Sequence, residues 1–365
     1  MVIVSWKALA NVFKRSYKFF CIVFLLIGFA GGILVPLAPG IISADSSSLS
    51  TFSGPFTVKV FGYNTHFRSA KSSLQGWITN EGKQPVNTCA TSVNVIDDTH
   101  LELSFPPVAP LNDPLFGLTV YNDADGRLYM NSAIATTDTV RGGIVPACNP
   151  VVKNEKQDHF AFPFRYILYE SMRNLFFHVP MWFTMIALLS WAVVNNLRFL
   201  RGFDMKYDRM ANNAITTGII FGLLGLITGS LWARVTWRAW WVDDVKLNGT
   251  AITMLSYLAY LVLRNSMEDE QKRARISAIY SIFAYVMMIV LIGVLPRLQG
   301  TDSLHPGNGG NPAFSSYDLD NSLRVFFYPA VAGWVLLGVW IYSVRYRMSN
   351  LKENLAAAEV KSRIA

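Results

Sequence analysis

The sequence predicts an α-helical integral membrane protein with six transmembrane helices and a small all-β domain inserted after the first helix. The first observation is composition: hydrophobic residues make up 52% of the chain and charged residues only 15%, unlike a soluble domain of this length. The second is order, because apolar runs surround a polar segment, 46–164, that alternates polar and apolar residues over short stretches. We therefore predict four parts: an N-terminal segment with the first helix (1–45), the insert (46–164), a five-helix membrane portion (165–348) and a tail (349–365).

The first apolar run covers residues 19–42 and follows a group of cations. These cations are Lys7, Lys14, Arg15 and Lys18. A cleaved signal peptide is the alternative, but the run is long for one, and Ile42-Ser43-Ala44 is a weak cleavage site. We expect a retained helix with a cytoplasmic N-terminus, because positive residues favour that side of a membrane.

The insert has the pattern of a small β-sandwich. Alternating stretches such as 57–60 and 100–105 are separated by turn signals such as Asp123-Ala124-Asp125-Gly126. Cys89 and Cys148 lie in this segment, whereas the third cysteine, Cys21, lies in the first apolar run. Two cysteines in a polar segment outside the cytoplasm predict a disulfide between Cys89 and Cys148.

Five further apolar segments follow the insert. They cover residues 178–197, 214–231, 248–263, 276–295 and 325–344. Segment 248–263 is shorter and more polar, yet a tilted helix of this length can cross a membrane beside others. Lys and Arg residues follow the second, fourth and sixth spans, which predicts cytoplasmic termini and a periplasmic insert in a bacterial inner membrane. The net charge of +8 therefore indicates membrane topology and not nucleic-acid binding.

A tryptophan-rich loop, residues 232–247, lies between the third and fourth spans. It contains Trp232, Trp237, Trp240 and Trp241, together with Arg234, Arg238, Asp244 and Lys246. An interfacial aromatic belt is the simpler interpretation, because indole prefers the headgroup level. However, the cations of this loop lie on the outer side, against the positive-inside bias. We therefore expect a flat aromatic ligand with acidic substituents, bound by ring stacking and by Arg–carboxylate pairing.

Two histidines lie in the outer loops on either side of this one. His178 starts the second span, and His305 lies between the fifth and sixth. A single histidine beside a membrane is usually a hydrogen-bonded or snorkelling side chain. Two on the same side as the tryptophan-rich loop suggest haem, because neutral imidazoles can bind iron from opposite faces. The tryptophans would form the wall of such a site, and the Arg and Lys side chains would neutralise the propionates.

Residues 232–247 resemble the loop of the WWD family of haem-handling proteins, and most closely its CcmC type. The characteristic positions are filled by Trp232, Trp237, Trp240, Trp241, Asp244, Lys246 and Leu247. His178-Val179-Pro180 matches the family's His-Val-Pro, and Leu304-His305 matches its Leu-His before a glycine. The departures are Ala233 and Arg238 for glycines, Asp243 for a tryptophan and Pro306 for a glutamine. The resemblance covers the first span and the chain from about Tyr166 onward, but not the β insert.

The resemblance implies a function. Such proteins hold haem b at the outer membrane face with two axial histidines, here His178 and His305, and present it to a CcmE-like haem chaperone. CcmA-like and CcmB-like transporter subunits would help to release the loaded chaperone. The protein would then be a haem-delivery platform in the lipid bilayer and not an enzyme with its own turnover.

Three alternatives remain open at this point. A haem lyase acting directly on apocytochrome c belongs to the same family, although that type is usually longer. A permease for a small solute belongs to another class, but the predicted spans contain few of the ionisable residues expected along a solute path. A receptor that senses its ligand through the insert is the third.

Overall fold

The structure is a computed structural model that describes residues 6–46, 54–80, 85–108, 115–135, 147–152, 160–298, 303–305 and 319–364. Pro306, one of the departures named above, lies outside these residues. The chain forms two compact units. One is Val35–Glu170, which contains the predicted insert, and the other joins Met1–Leu34 to Ser171–Ala365.

The first unit is built from short antiparallel strands. They are β1 (Gly40–Ser46), β2 (Phe56–Tyr63), β3 (Gln75–Asn80), β4 (Asn87–Cys89), β5 (Ser92–Val95), β6 (His100–Phe105), β7 (Leu115–Asn122) and β8 (Gly126–Ala135). Among the described residues they form two four-stranded sheets, with orders β1-β2-β6-β5 and β4-β3-β7-β8. Val60 and Leu103 of one sheet share a buried core with Ile78 and Leu118 of the other. The alternation in the sequence therefore reflects two sheets that each bury one face.

β1 begins inside what the sequence suggests is the end of the first apolar run. The preceding helix, α1 (Trp6–Leu34), stops before Pro36 and Pro39, because proline cannot donate the backbone hydrogen bonds that would continue it. Ile41 is accordingly buried in the core of the first unit, Val35–Glu170, which we call the β unit.

A disulfide joins Cys89, at the end of β4, to Cys148. The Cys148 N–H donates to the Asn87 carbonyl at 2.9 Å, so the chain around Cys148 lies along β4. The Gln75 side chain also exchanges two hydrogen bonds with the backbone of Val151. The segment after the disulfide therefore covers the end of this sheet.

The second unit is helical. Besides α1 it contains α2 (His178–Gly202), α3 (Met205–Thr236), α4 (Val245–Asn265), α5 (Glu270–Met288) and α6 (Asn321–Ile364). A 3-10 segment, Tyr169–Phe176, precedes α2, and α5 continues through a π turn, Ile289–Val294, and a 3-10 turn, Leu295–Arg297. Within the described ranges, five helices (α1, α2, α3, α5 and α6) are long and apolar enough to cross a membrane. The chain is thus a multi-pass membrane protein, and the sixth predicted span is not confirmed.

The helix outside that set is α4, which is the segment that the sequence marks as short and polar. Its hydroxyl groups donate to carbonyls one turn earlier: Thr250 to Lys246, Thr253 to Gly249 and Ser256 to Ile252. Such bonds satisfy polar side chains in apolar surroundings. The same Thr and Ser residues lower the mean hydropathy by which a span is recognised.

The α3–α4 hairpin is closed at its base by a buried ion pair. The guanidinium of Arg264, on the last turn of α4, donates to both carboxylate oxygens of Asp208, on the first turn of α3, at 2.8 and 2.6 Å. Both side chains are buried, at 11% and 3% exposure. The pair lies at the opposite end of the hairpin from the tryptophan-rich loop and so restricts how the two helices present that loop.

Candidate functional site

The tryptophan-rich loop is partly helical. Because α3 runs to Thr236, Trp232 and Arg234 lie on its last turn, and Trp237 caps it. Arg238 follows with φ of +60°, a left-handed conformation that favours glycine, and the resembled family has glycine here. The guanidinium of Arg234 donates to the Arg238 carbonyl, which supports this turn.

Asp244 ends the loop and joins it to a second segment of the chain. Its Oδ1 accepts the N–H groups of Lys246 at 2.9 Å and Leu247 at 3.1 Å, so it is the N-cap of α4. Its Oδ2 accepts the N–H of Leu304 at 2.8 Å. Burial by itself would raise the pKa of Asp244, but the N–H groups of Leu304 and Leu247 and the Ser303 hydroxyl hold that pKa below its usual value. The buried carboxylate is therefore ionised and fixes the segment that contains His305.

His305 packs against the tryptophans and faces this carboxylate. Its ring centroid lies 5.0 Å from that of Trp237 and 6.1 Å from that of Trp232, and the two indoles are 5.1 Å apart. Its Nδ1 lies 3.6 Å from Asp244 Oδ1, which turns Nε2 to the opposite edge of the ring. Burial lowers the pKa of His305 to about 4, although the charge of Asp244 opposes this effect. The imidazole is therefore neutral at pH 7, with a carboxylate behind it, as in many metal-binding histidines.

His178, the first residue of α2, is held by α3. Its Nδ1 lies 3.0 Å from the Gly225 carbonyl oxygen and 3.2 Å from Thr228 Oγ1. A carbonyl oxygen can only accept, so Nδ1 carries the hydrogen and the lone pair of the neutral ring lies on Nε2. Gly229 of α3 faces the His178 ring, and Trp232, three residues further along the same helix, packs against His305. The structure therefore places both predicted histidines against the same end of α3.

Trp240 and Trp241 lie outside the cluster of Trp232, Trp237, Asp244 and His305. They are 57% and 42% exposed, so the predicted tryptophans divide into a packed pair and an exposed pair. The Arg234 guanidinium lies over the Trp240 ring, 6.0 Å from its centroid, and the Trp241 indole N–H donates to Asn248 at 3.2 Å. The exposed pair forms an aromatic surface beside the packed one.

Lys246 lies on the first turn of α4, next to a cation that we did not predict. Burial and the charge of Arg297 lower the pKa of Lys246, and Asp244 opposes them. Arg297 ends the 3-10 turn after α5, and its guanidinium donates to the Gly293 carbonyl. In the sequence Arg297 lies at the end of an apolar run, where a cation usually only marks the boundary of a membrane span. Gly225, Thr228 and Gly229 were also missed, although the glycine spacing of α3 is visible in the sequence.

The fold and this cluster define a class: multi-pass membrane proteins in which a tryptophan-rich loop and two partly buried imidazoles lie at the same end of one helix. Residues 157–361 match the family model described as CcmC, Heme exporter protein C. That match covers more than half of the chain, so this protein belongs to the CcmC family.

Individual relatives agree with the family match. The chain is 28% identical to Heme exporter protein C of Haemophilus influenzae over 145 residues, which are 40% of this chain and 57% of that protein. It is 25% identical to the Paracoccus denitrificans protein of the same name over 193 residues, 51% of this chain and 76% of that one. A shorter match, 38% over 89 residues, is to Cytochrome c biogenesis protein CcsA of Prochlorococcus marinus and covers 24% of this chain and 28% of that protein. The family match begins at residue 157, after the described strands β1 to β8.

Proposed function

We propose that this protein holds haem at the outer face of a bacterial inner membrane and hands it to a haem chaperone during c-type cytochrome maturation. The main support is that both imidazoles lie against the same end of α3 and that each directs Nδ1 to a protein oxygen, which leaves Nε2 for iron. Membership of a family described as Heme exporter protein C agrees with haem as the cargo.

The residues of the site fit the chemistry of haem. His178 and His305 would be the axial ligands, and the rings of Trp232 and Trp237 would provide apolar contact beside His305. Asp244 would act through His305, since it is buried behind that imidazole and accepts the neighbouring N–H of Leu304. Its role is therefore to position the ligand.

The exposed residues of the loop would contact the cargo and its recipient. Trp240 and Trp241 offer aromatic surface for the porphyrin or for the chaperone. Lys246 would pair with the propionates, with Arg234 and Arg238 as additional cations. The cargo would be haem b, bound reversibly through the two imidazoles and these side chains.

The remaining parts of the chain receive supporting roles in this proposal. Residues 165–348 would be the haem-handling portion, and the insert, 46–164, would dock or shield a partner without ligating haem. The recipient would be a CcmE-like chaperone, and CcmA-like and CcmB-like subunits of an ABC-type exporter would assist its release. Both termini, including the tail 349–365, would be cytoplasmic.

Cysteine labelling tests this topology. Ser92→Cys, on exposed strand β5, is expected to react with a membrane-impermeant maleimide in intact spheroplasts, whereas Lys361→Cys on the exposed end of α6 should react only after lysis. Labelling of Ser92→Cys only after lysis would contradict a periplasmic insert.

Haem titration of the purified protein in detergent tests the cargo. Wild-type protein should develop a Soret band, and His178→Ala or His305→Ala should weaken haem retention and change the spectrum, with partial recovery on adding imidazole. His66→Ala is the matched control, because His66 is an exposed histidine of the β unit paired with Asp125. A double variant, His178→Ala with His305→Ala, that keeps the wild-type haem content and spectrum would refute the proposal.

A further inference from the structure

The face of α3 that contacts His178 is rich in glycine. Glycines recur along this helix at 218, 222, 225 and 229, which places them on one face. Each faces a different side chain: a Cβ on Gly218 would lie 3.3 Å from Leu189, and one on Gly225 would lie 2.8 Å from Trp182. Three of the four positions make room for ordinary packing between helices. Gly229 differs, because the side chain that it faces is a candidate iron ligand.

Gly229 faces the imidazole of His178. A Cβ added at Gly229 would lie 2.6 Å from Cε1 of that ring, 3.1 Å from Nδ1 and 3.4 Å from Nε2. The distance to Cε1 is too short for a carbon atom to be accommodated without movement, and the distance to Nδ1 is tight. The Cε1 atom lies between the two ring nitrogens, so a methyl group there would push against the edge that presents Nε2.

The same turn fixes which nitrogen carries the hydrogen. The Thr228 hydroxyl donates its single proton to a carbonyl of the preceding turn, 2.8 Å away at Leu224, so towards His178 it accepts. The Gly225 carbonyl, 3.0 Å from Nδ1, is also an acceptor. Among the described residues, Nδ1 therefore faces two acceptors, and these hold the hydrogen on Nδ1.

We propose that Gly225, Thr228 and Gly229 form a socket that positions His178. The carbonyl and the hydroxyl hold the Nδ1–H tautomer, and the absent side chain at Gly229 leaves room for the edge of the ring that carries Cε1. These are positioning residues, since they act on the cargo through His178. The inference rests on the proposed function, in which His178 is an axial ligand.

The competing explanation is that Gly229 serves only the packing of α2 on α3. The two explanations differ in what happens when His178 is absent. A packing role persists without the imidazole, whereas a positioning role requires it. Because the clash at Gly229 is with the end of a side chain that can rotate, the Gly229→Ala protein should fold with its imidazole displaced.

The experiment is a double-mutant cycle on the purified full-length protein in detergent, titrated with haem. Gly229→Ala is expected to lose the six-coordinate low-spin spectrum and to weaken haem binding by about 10- to 100-fold, the range found when a ligand's supporting shell is removed. Added imidazole should restore the low-spin spectrum. Gly229→Ala should have no further effect in the His178→Ala background. Gly218→Ala is the control, because its Cβ would meet Leu189 and Leu188 at 3.3 Å or more and no histidine, and it should retain the wild-type spectrum.

The inference is overturned if Gly229→Ala keeps the wild-type spectrum and affinity, or if it lowers haem binding equally in the His178→Ala background without imidazole rescue. Should Gly229→Ala not accumulate, Thr228→Val replaces it, since valine keeps the shape and removes the acceptor. Its expected effect is a smaller loss, about tenfold, that is again absent without His178. If His178→Ala itself leaves the haem spectrum unchanged, then the proposed function fails, which is a different result from either of these.

Discussion

Asp244 provides the most direct perturbation of the loop, because one side chain supports both α4 and the His305 segment. Asp244→Ala removes the N-cap of α4, which costs about 1 kcal/mol. It also removes the part-buried hydrogen bond that the N–H of Leu304 donates to this carboxylate, and a hydrogen bond to a charged group contributes roughly 1–3 kcal/mol. The order of the site should therefore weaken by about 2–4 kcal/mol. If the whole of this free energy is lost from the conformation that binds haem, the affinity for haem falls by about 30- to 700-fold.

The assay is haem titration of the two variants Asp244→Ala and Asp243→Ala in parallel, with hydrogen exchange at Leu304 as an independent readout. Asp243 is the matched control, because its carboxylate is exposed and accepts from Asn248 at 2.7 Å. Its loss should cost no more than about 0.5 kcal/mol, or about twofold in affinity. Equal effects of the two variants, or unchanged exchange at Leu304 in Asp244→Ala, would refute this account of Asp244.

Three further outcomes concern stability. Arg238→Gly should stabilise the loop by about 1 kcal/mol, read as a higher unfolding temperature, because glycine tolerates the φ of +60° there; an unchanged or lower temperature would contradict it. Arg264→Met should destabilise the helical unit by about 3–5 kcal/mol, measured by unfolding in detergent, because it leaves the buried Asp208 carboxylate without its ion-pair partner. Adding Asp208→Leu should recover most of that loss. Replacing both Cys89 and Cys148 by serine should lower the unfolding free energy of the β unit by about 4 kcal/mol, measured by hydrogen exchange of its strands.

Much of the membrane portion could be predicted because apolar runs leave a strong signal. The exception was α4, where threonines and serines that bond to their own helix reduce the hydropathy. The end of the first helix was also placed too late, since Ile41 and Ile42 extend the apolar run but follow two prolines. Apolar character alone does not distinguish a strand core from a membrane helix, whereas proline does.

The residue types of the site could be predicted from the sequence, but the contacts and the role of each residue could not. Four tryptophans are equivalent in the sequence, yet the structure packs Trp232 and Trp237 against His305 and leaves Trp240 exposed. The role of Asp244 as a helix cap could have been read from its position before α4, but its bond to Leu304 spans 60 residues. Contacts of that separation depend on tertiary packing, which local patterns do not encode.

The partner of His178 was hidden for the same reason. The glycine spacing of α3 indicates that another helix approaches closely, but it does not say that the imidazole lies against Gly229. Likewise, Arg264 and Asp208 each resemble a charge at a membrane boundary, and their pairing across 56 residues appears only in the fold.

The proposed function requires that His178 and His305 together ligate haem iron. Electron paramagnetic resonance of the ferric haem complex at low temperature distinguishes six-coordinate bis-imidazole iron from iron that has lost one imidazole. We predict a low-spin signal from the wild-type protein, conversion to a high-spin signal in His178→Ala and in His305→Ala, and return of the low-spin signal when imidazole is added. A low-spin signal that is unchanged in both single variants would contradict the claim, because the iron would then be bound by other residues.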